Sequence, residues 1–153
     1  MKTLIYTFAL AVITSVTGFS QIIEGEDGRY YADNYTPYEG EYKEFHNNGE
    51  PRIEMNLEDG LQHGTTKIFF PNGEINEIRA YNMGKMDGTW ITYNQSNVKI
   101  AEANYVNDKK HGTWKIWDDN GTLRYQMQYE KGKRAGKWLR WNENGKLIDT
   151  REY

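Results

Sequence analysis

Along residues 112–129, GTWKIWDDNGTLRYQMQY, apolar and polar positions alternate on either side of a turn. Trp114, Ile116 and Trp117 lie in a β-prone run, Asn120-Gly121 tolerates the left-handed backbone of a tight turn, and Leu123, Tyr125, Met127 and Tyr129 alternate with polar residues. The pattern predicts a β-hairpin. A lone hairpin is marginal in water, so this one needs neighbours.

The neighbours are written into the chain. Gly40, Gly64, Gly88, Gly112 and Gly136 recur every 24 residues without insertion. Two residues beyond each glycine stand Tyr42, Thr66, Trp90, Trp114 and Trp138; five beyond stand the aromatic residues Phe45, Phe69, Tyr93, Trp117 and Trp141. A first turn follows at Asn48-Gly49, Asn72-Gly73, Ser96-Asn97, Asn120-Gly121 and Asn144-Gly145, and a later column reads Leu57, Tyr81, Tyr105, Tyr129 and Tyr153. Gly60, Gly84, Asp108 and Gly132 mark a second turn. Columns this regular define five units, 40–63, 64–87, 88–111, 112–135 and 136–153. Each reads as strand, turn, strand, turn, so the whole is expected to be an all-β meander of about ten antiparallel strands. Residues 21–39, rich in tyrosine and interrupted by Gly25, Gly28 and Pro37, read as an N-terminal cap over the first unit's edge.

The two aromatic columns have opposite parity, so Trp114 and Trp117 are expected on opposite faces. A three-residue loop with a glycine bulge pairs Trp117 with Leu123, Phe69 with Ile75 and Trp141 with Leu147. On that register Leu123, Tyr125, Met127 and Tyr129 continue the face of Trp117, while Trp90, Trp114 and Trp138 line the other. A two-residue loop reverses the coupling. In the third unit Asn97 is expected to take the left-handed place that glycine takes elsewhere.

Tyr38-Glu39-Gly40-Glu41-Tyr42, His63-Gly64-Thr65-Thr66, Asp87-Gly88-Thr89-Trp90, His111-Gly112-Thr113-Trp114 and Ala135-Gly136-Lys137-Trp138 resemble the MORN-type repeat. The likeness is to the bacterial variant found in proteins often labelled YwqK-type antitoxins, and it runs from Tyr38 to Tyr153. It implies an elongated, twisted, single-layer antiparallel sheet used as an interaction scaffold, with toxin neutralisation as an alternative role.

The first twenty residues follow a different logic. Lys2 precedes an apolar stretch from Leu4 to Val16, and Gly18-Phe19-Ser20 places small residues before Gln21, the pattern of a signal peptide cleaved near Ser20/Gln21. The apolar run is shorter than the roughly 20 residues of a bilayer span, so no integral membrane anchor is expected. The reading is therefore a secreted or periplasmic protein. Without cysteine, its stability must come from packing and sheet pairing. Hydrophobic content is 37% while aromatics reach 14%, a composition suited to a twisted sheet. Residues 21–63 carry eleven acids against Arg29, Lys43 and Arg52, whereas residues 64–153 carry eleven acids against fifteen bases. In an elongated molecule that leaves two ends of opposite sign.

Catalytic machinery is not evident. Ser96 is the single serine after residue 20 and lies in a turn, and there is no cysteine nucleophile. His46, His63 and His111 lack metal-ligand spacing, and no cofactor motif appears. Glu26-Asp27, Glu58-Asp59 and Asp118-Asp119 read as solvated turn acids, and Asp118-Asp119-Asn120-Gly121 lacks the remaining ligands of a calcium loop. The cluster Lys131, Lys133, Arg134, Lys137 and Arg140 reads as a charged turn and strand edge that discourages strand addition. Nucleic acid is not an expected partner of an acidic, exported chain. The aromatic columns carry the binding expectation, because a single-layer sheet cannot hide both of its faces. Trp90, Trp114 and Trp138 are the expected contact residues, with Tyr93, Trp117 and Trp141 as the opposite-face set. The expected partner is another protein of the envelope, with a glycan as the alternative.

Overall fold

A computed structural model describes residues 22–32 and 35–153. The expected signal segment, Met1 to Ser20, and its cleavage partner Gln21 lie outside the described residues. Fifteen strands and no helix occur among those that are described: β1 (Ile23–Glu24), β2 (Tyr30–Tyr31), β3 (Gly40–Phe45), β4 (Pro51–Glu58), β5 (Leu61–Gln62), β6 (Gly64–Phe69), β7 (Ile75–Asn82) and β8 (Lys85–Met86), then β9 (Gly88–Tyr93), β10 (Lys99–Val106), β11 (Lys109–Lys110), β12 (Gly112–Trp117), β13 (Leu123–Glu130), β14 (Lys133–Trp141) and β15 (Leu147–Glu152).

From β3 to β15 the strands form one open antiparallel meander in chain order, with β5, β8 and β11 hanging on β4, β7 and β10. The all-β reading of the repeats is what the chain adopts. The two-residue strands β5, β8 and β11 are additions to it, made by the second turn of units 1 to 3. There Glu58 pairs with Leu61, Asn82 with Lys85 and Val106 with Lys109 across two-residue turns. Both central residues of these turns have positive φ, as at Asn107 (47°) and Asp108 (63°), the mirror-image turn that matches strand twist.

The first turn of each unit is the three-residue loop with a glycine bulge. In unit 4 the Asp118 amide donates to Thr122 O (3.0 Å), the Gly121 amide donates to Asp118 O (2.9 Å), and Gly121 sits at φ +82°. Asn97 takes the same place at φ +57°, so Ser96-Asn97 closes the same loop as Asn-Gly. The expected pairs Trp117 with Leu123, Phe69 with Ile75 and Trp141 with Leu147 are all present.

The facing beyond those pairs differs from expectation. Trp117 lies opposite Leu123 but Ile116 lies opposite Tyr125, which leaves Arg124 as an extra residue in β13. This second bulge reverses the inward–outward alternation, because one inserted residue shifts a two-residue period by half. Leu123 keeps the face of Trp117, whereas Tyr125, Met127 and Tyr129 move to the face of Trp114. The same shift recurs in all five units.

The N-terminal segment forms its own two-stranded sheet, β1 with β2, and does not pair along β3. It packs on the second turn of unit 1 instead. The Tyr30 amide donates to Gly60 O (2.8 Å), the Gly60 amide donates to Tyr38 O (3.0 Å), and Arg29 binds Asp59. The buried apolar side chains among the described residues are Met55 and Leu57, in the unit nearest this segment, with Thr66 beside them as a buried polar residue. Elsewhere no second layer lies on the sheet among the described residues, and its aromatic side chains stay partly open.

Candidate functional site

The junction between units explains why tryptophan stands two residues after the motif glycine. β4 pairs with β6 through Ile53 with Ile68 and Glu54 with Lys67 alone, so residues 63–66 form a kink opposite residues 55 and 56. Gly64, Gly88, Gly112 and Gly136 make that kink with positive φ. At Gly88 a side chain is also excluded, because a Cβ would lie 2.8 Å from the Ala80 Cβ. At the kink the Ala80 and Asn104 carbonyls accept the Asp87 (3.1 Å) and His111 (2.9 Å) amides, and the indole N–H turns back to add a second bond to the same oxygen. Trp90 Nε1 donates to Ala80 O (3.0 Å), Trp114 Nε1 to Asn104 O (2.9 Å) and Trp138 Nε1 to Gln128 O (3.0 Å). Each tryptophan thus covers the kink and satisfies its polar group, which is the usual demand of a half-buried indole.

Fixed this way, the indoles meet the tyrosine column across the next strand. Tyr81, Trp90, Tyr105, Trp114, Tyr129, Trp138 and Tyr153 form an unbroken series with ring centroids 4.9–5.3 Å apart and planes tilted by 53–64°. A separate pair, Tyr30 on Tyr42 at 5.1 Å, begins the same face at the other end. Cations cover the rings: Arg79 lies over Trp90 (4.9 Å), Lys110 over Trp114 (4.3 Å) and Tyr129 (5.0 Å), and Arg134 over Trp138 (4.7 Å) and Tyr153 (5.3 Å). Burial within this stack raises the phenol pKa values of Tyr105 and Tyr129.

On the far face Trp117 pairs with Leu123 and carries the Lys99 ammonium over its ring at 4.5 Å. Tyr93 lies opposite Lys99 and Trp141 opposite Leu147. This column does not alternate with a second aromatic column, and none of the ring contacts found involves its members. The two expected sets, Trp90, Trp114 and Trp138 against Tyr93, Trp117 and Trp141, therefore do lie on opposite faces, and they differ in kind.

The basic cluster is divided. Lys131 occupies a turn at φ +50° and Lys133 opens β14, both exposed. Lys137 faces Glu152 across β14 and β15 on the far side. Arg134 and Arg140 belong to the ladder face. There, with Ile116, Tyr125, Met127, Trp138, Asp149, Arg151 and Tyr153, they line an open depression of about 390 Å³. Ile116, Tyr125 and Tyr153 are 40%, 41% and 45% exposed, so apolar surface is presented at its rim. Ile116, Tyr125, Met127 and Arg151 were not among the residues expected to bind. The perfect alternation Leu123, Tyr125, Met127, Tyr129 conceals the bulge that brings them beside Trp138.

Each carboxylate pair has at least one member held by a structural partner. Asp118 accepts the Asn120 (3.1 Å) and Thr122 (2.9 Å) amides and lies 3.5 Å from Arg124, and these bonds lower its pKa, with the Thr122 amide foremost. Asp59 holds Arg29, Glu58 lies 3.6 Å from His63, and Asp27 accepts the Tyr31 hydroxyl at 2.7 Å. No cluster of three or more potential metal ligands, and no helix long and apolar enough to cross a membrane, occurs among the described residues.

The family model described as the MORN repeat variant matches residues 38–59, 62–82, 110–131 and 134–153, more than half of the chain. The unmatched stretch contains the Ser96-Asn97 and Asn107-Asp108 turns, which keep the geometry of the other units with different residues. No curated protein matches the chain.

Proposed function

The chain belongs to the MORN repeat variant family, whose repeats generally serve as interaction scaffolds, and from that membership we propose an exported scaffold that binds another protein through its ladder face. The observation that carries this reading is the half-open aromatic series from Tyr81 to Tyr153 with exposed Ile116 and Tyr125 beside it, on a sheet without a covering layer among the described residues. Such a rigid row of amphipathic rings costs little side-chain entropy on binding. No catalytic role is assigned. Protein is favoured over glycan because a sugar stacks on an open ring face, and here tilted neighbours and the cations of Lys110 and Arg134 occupy those faces. Toxin neutralisation is a special case of the same docking, distinguished by whether co-expression with a neighbouring gene product restores growth.

Export rests on the Met1–Ser20 pattern, and intact-mass analysis of the protein from its own cells should show an N-terminus at Gln21. Affinity capture from the cell envelope tests the binding face. Substituting Ile116 and Tyr125 with Ser should abolish capture while folding persists, whereas substituting Tyr93 and Trp141 on the far face should leave it intact. The opposite pattern would place the partner on the far face, and retained capture with both variants would defeat the aromatic-face reading.

A further inference from the structure

On the ladder face, equivalent positions of successive units differ in character. In unit 1 Glu44 is neutralised by Arg52, beside Ile53 and the buried Met55 at the places that Glu77 and Arg79 take in unit 2, where Glu77 is neutralised by Arg79 at 2.7 Å. The places of Glu77 and Arg79 are taken in unit 3 by Ala101 and Ala103, with Thr92 opposite Ala101, and in unit 4 by Tyr125 and Met127, with Ile116 opposite Tyr125. Unit 5 presents Arg140, Asp149 and Arg151, where Asp149 holds Arg151 at 3.2 Å. Three cations of this end, Lys110, Arg134 and Arg140, have no carboxylate within 4.0 Å among the described residues. Lys110 and Arg134 are held over indole rings, and Arg134 also donates to the Tyr153 hydroxyl (3.1 Å). The exposed apolar residues Ile116 and Tyr125 lie among them, at the rim of the 390 Å³ depression.

Resting on the scaffold reading above, we propose that this end of the ladder face docks an extended acidic segment of another protein. Its carboxylates meet Lys110, Arg134 and Arg140, and an apolar or aromatic side chain settles on Ile116, Tyr125 and Met127. Charge complementarity commits the occupant: Arg134 and Arg140, without carboxylate partners among the described residues, line an apolar hollow, which suits carboxylates spaced around a buried side chain. A membrane surface fits less well. Lys110 and Arg134 lie back against the rings and the apolar residues border a depression, whereas a lipid-binding patch projects both. The first two units, with their internally paired charges, offer no equivalent place.

The test is selection from a random dodecapeptide display library on the immobilised full chain, followed by anisotropy titration of the enriched peptides. Expected are sequences with Asp or Glu flanking an aromatic or aliphatic residue. Binding should weaken roughly tenfold when the acids become amides, and equally in the R134Q/R140Q protein. R140Q alone, at an exposed position outside the ring stack, should weaken binding by about threefold and guards against misfolding of the double variant. K67Q/K115Q on the far face should change nothing. Enriched peptides without excess carboxylate, binding indifferent to R140Q, or sedimentation with phosphatidylglycerol vesicles in place of peptide binding would each overturn the proposal. So would concentration-dependent self-association abolished by R134Q/R140Q, which would make a second copy the occupant. If envelope capture depends on Ile116 and Tyr125 but not on these cations, the scaffold reading stands and the acidic-segment proposal fails.

Discussion

Removing Trp114 should cost far more than removing Trp117, three residues away on the same strand. Trp114 makes two ring contacts, at 5.1 Å to Tyr105 and 5.2 Å to Tyr129, each worth about 0.5–1.5 kcal/mol beyond area burial. Lys110 over its ring adds about 0.5–1 kcal/mol, and the 2.9 Å bond to Asn104 O adds a net of about 0.5–1.5 kcal/mol. Half-burial of an indole hides roughly 100 Å², or about 2.5 kcal/mol. These contributions share surface and do not add in full, so Trp114→Ala is expected to lose about 4 kcal/mol, within the range of large aromatic deletions. Trp117 has similar half-burial and the Lys99 contact at 4.5 Å, but neither ring neighbours nor an indole hydrogen bond, and Trp117→Ala is expected to lose about 2–3 kcal/mol. Urea unfolding followed by far-UV circular dichroism reads the difference. With a slope of about 2 kcal/mol/M the Trp114→Ala midpoint should fall by about 2 M, against about 1–1.5 M for Trp117→Ala. A repeat array cut in its middle should also unfold less cooperatively, so the Trp114→Ala slope itself should drop. A Trp117→Ala loss equal to or above that of Trp114→Ala would refute the claim that the ladder, more than burial alone, joins the units. A Trp114 and Tyr129 double-mutant cycle should give a coupling of about 0.5–1.5 kcal/mol.

Gly88→Ala should destabilise more than Gly121→Ala. Both have positive φ, costing roughly 1–2 kcal/mol for a side chain, but at Gly88 the new Cβ meets the Ala80 Cβ at 2.8 Å, whereas at Gly121 it meets Val98 Cγ1 at an ordinary 3.5 Å; thermal midpoints of the two variants make the comparison. Met83 occupies a left-handed turn position at φ +48° and is exposed, so Met83→Asn should raise stability by about 0.5–1 kcal/mol in the same assay. Burial where the N-terminal segment meets Tyr42 of unit 1, with Glu24 nearby, raises the Tyr30 phenol to about 12. An acid whose pKa rises on folding gives stability that is complete below its unfolded value near 10 and lost as pH climbs through about 12. Chemical unfolding between pH 9 and 12 should therefore show an alkaline loss that Tyr30→Phe reduces; an unchanged profile in the variant would assign the loss to other groups.

The repeat, its length and its turn chemistry were legible in the sequence because each is a local matter. Asn120-Gly121 specifies the bulged loop through one left-handed residue, Asn97 does the same where glycine is missing, and a column of aromatics every 24 residues requires a strand in every unit. That Trp114 and Trp117 oppose one another likewise follows from parity along a single strand. What the sequence could not reveal was the insertion of Arg124 into β13, since Leu123, Tyr125, Met127 and Tyr129 alternate without a break and the extra residue exists only relative to β12. The tertiary pairing decided the rest. It turned Tyr125 and Met127 toward Trp114 and interleaved tyrosine with tryptophan into one ladder. It also brought Arg134 and Arg140 together with Ile116 while sending Lys137 to the far side. A strand's own period settles which residues share a face within that strand, but register against a neighbour settles which strands share that face, and here the candidate site lies across strands.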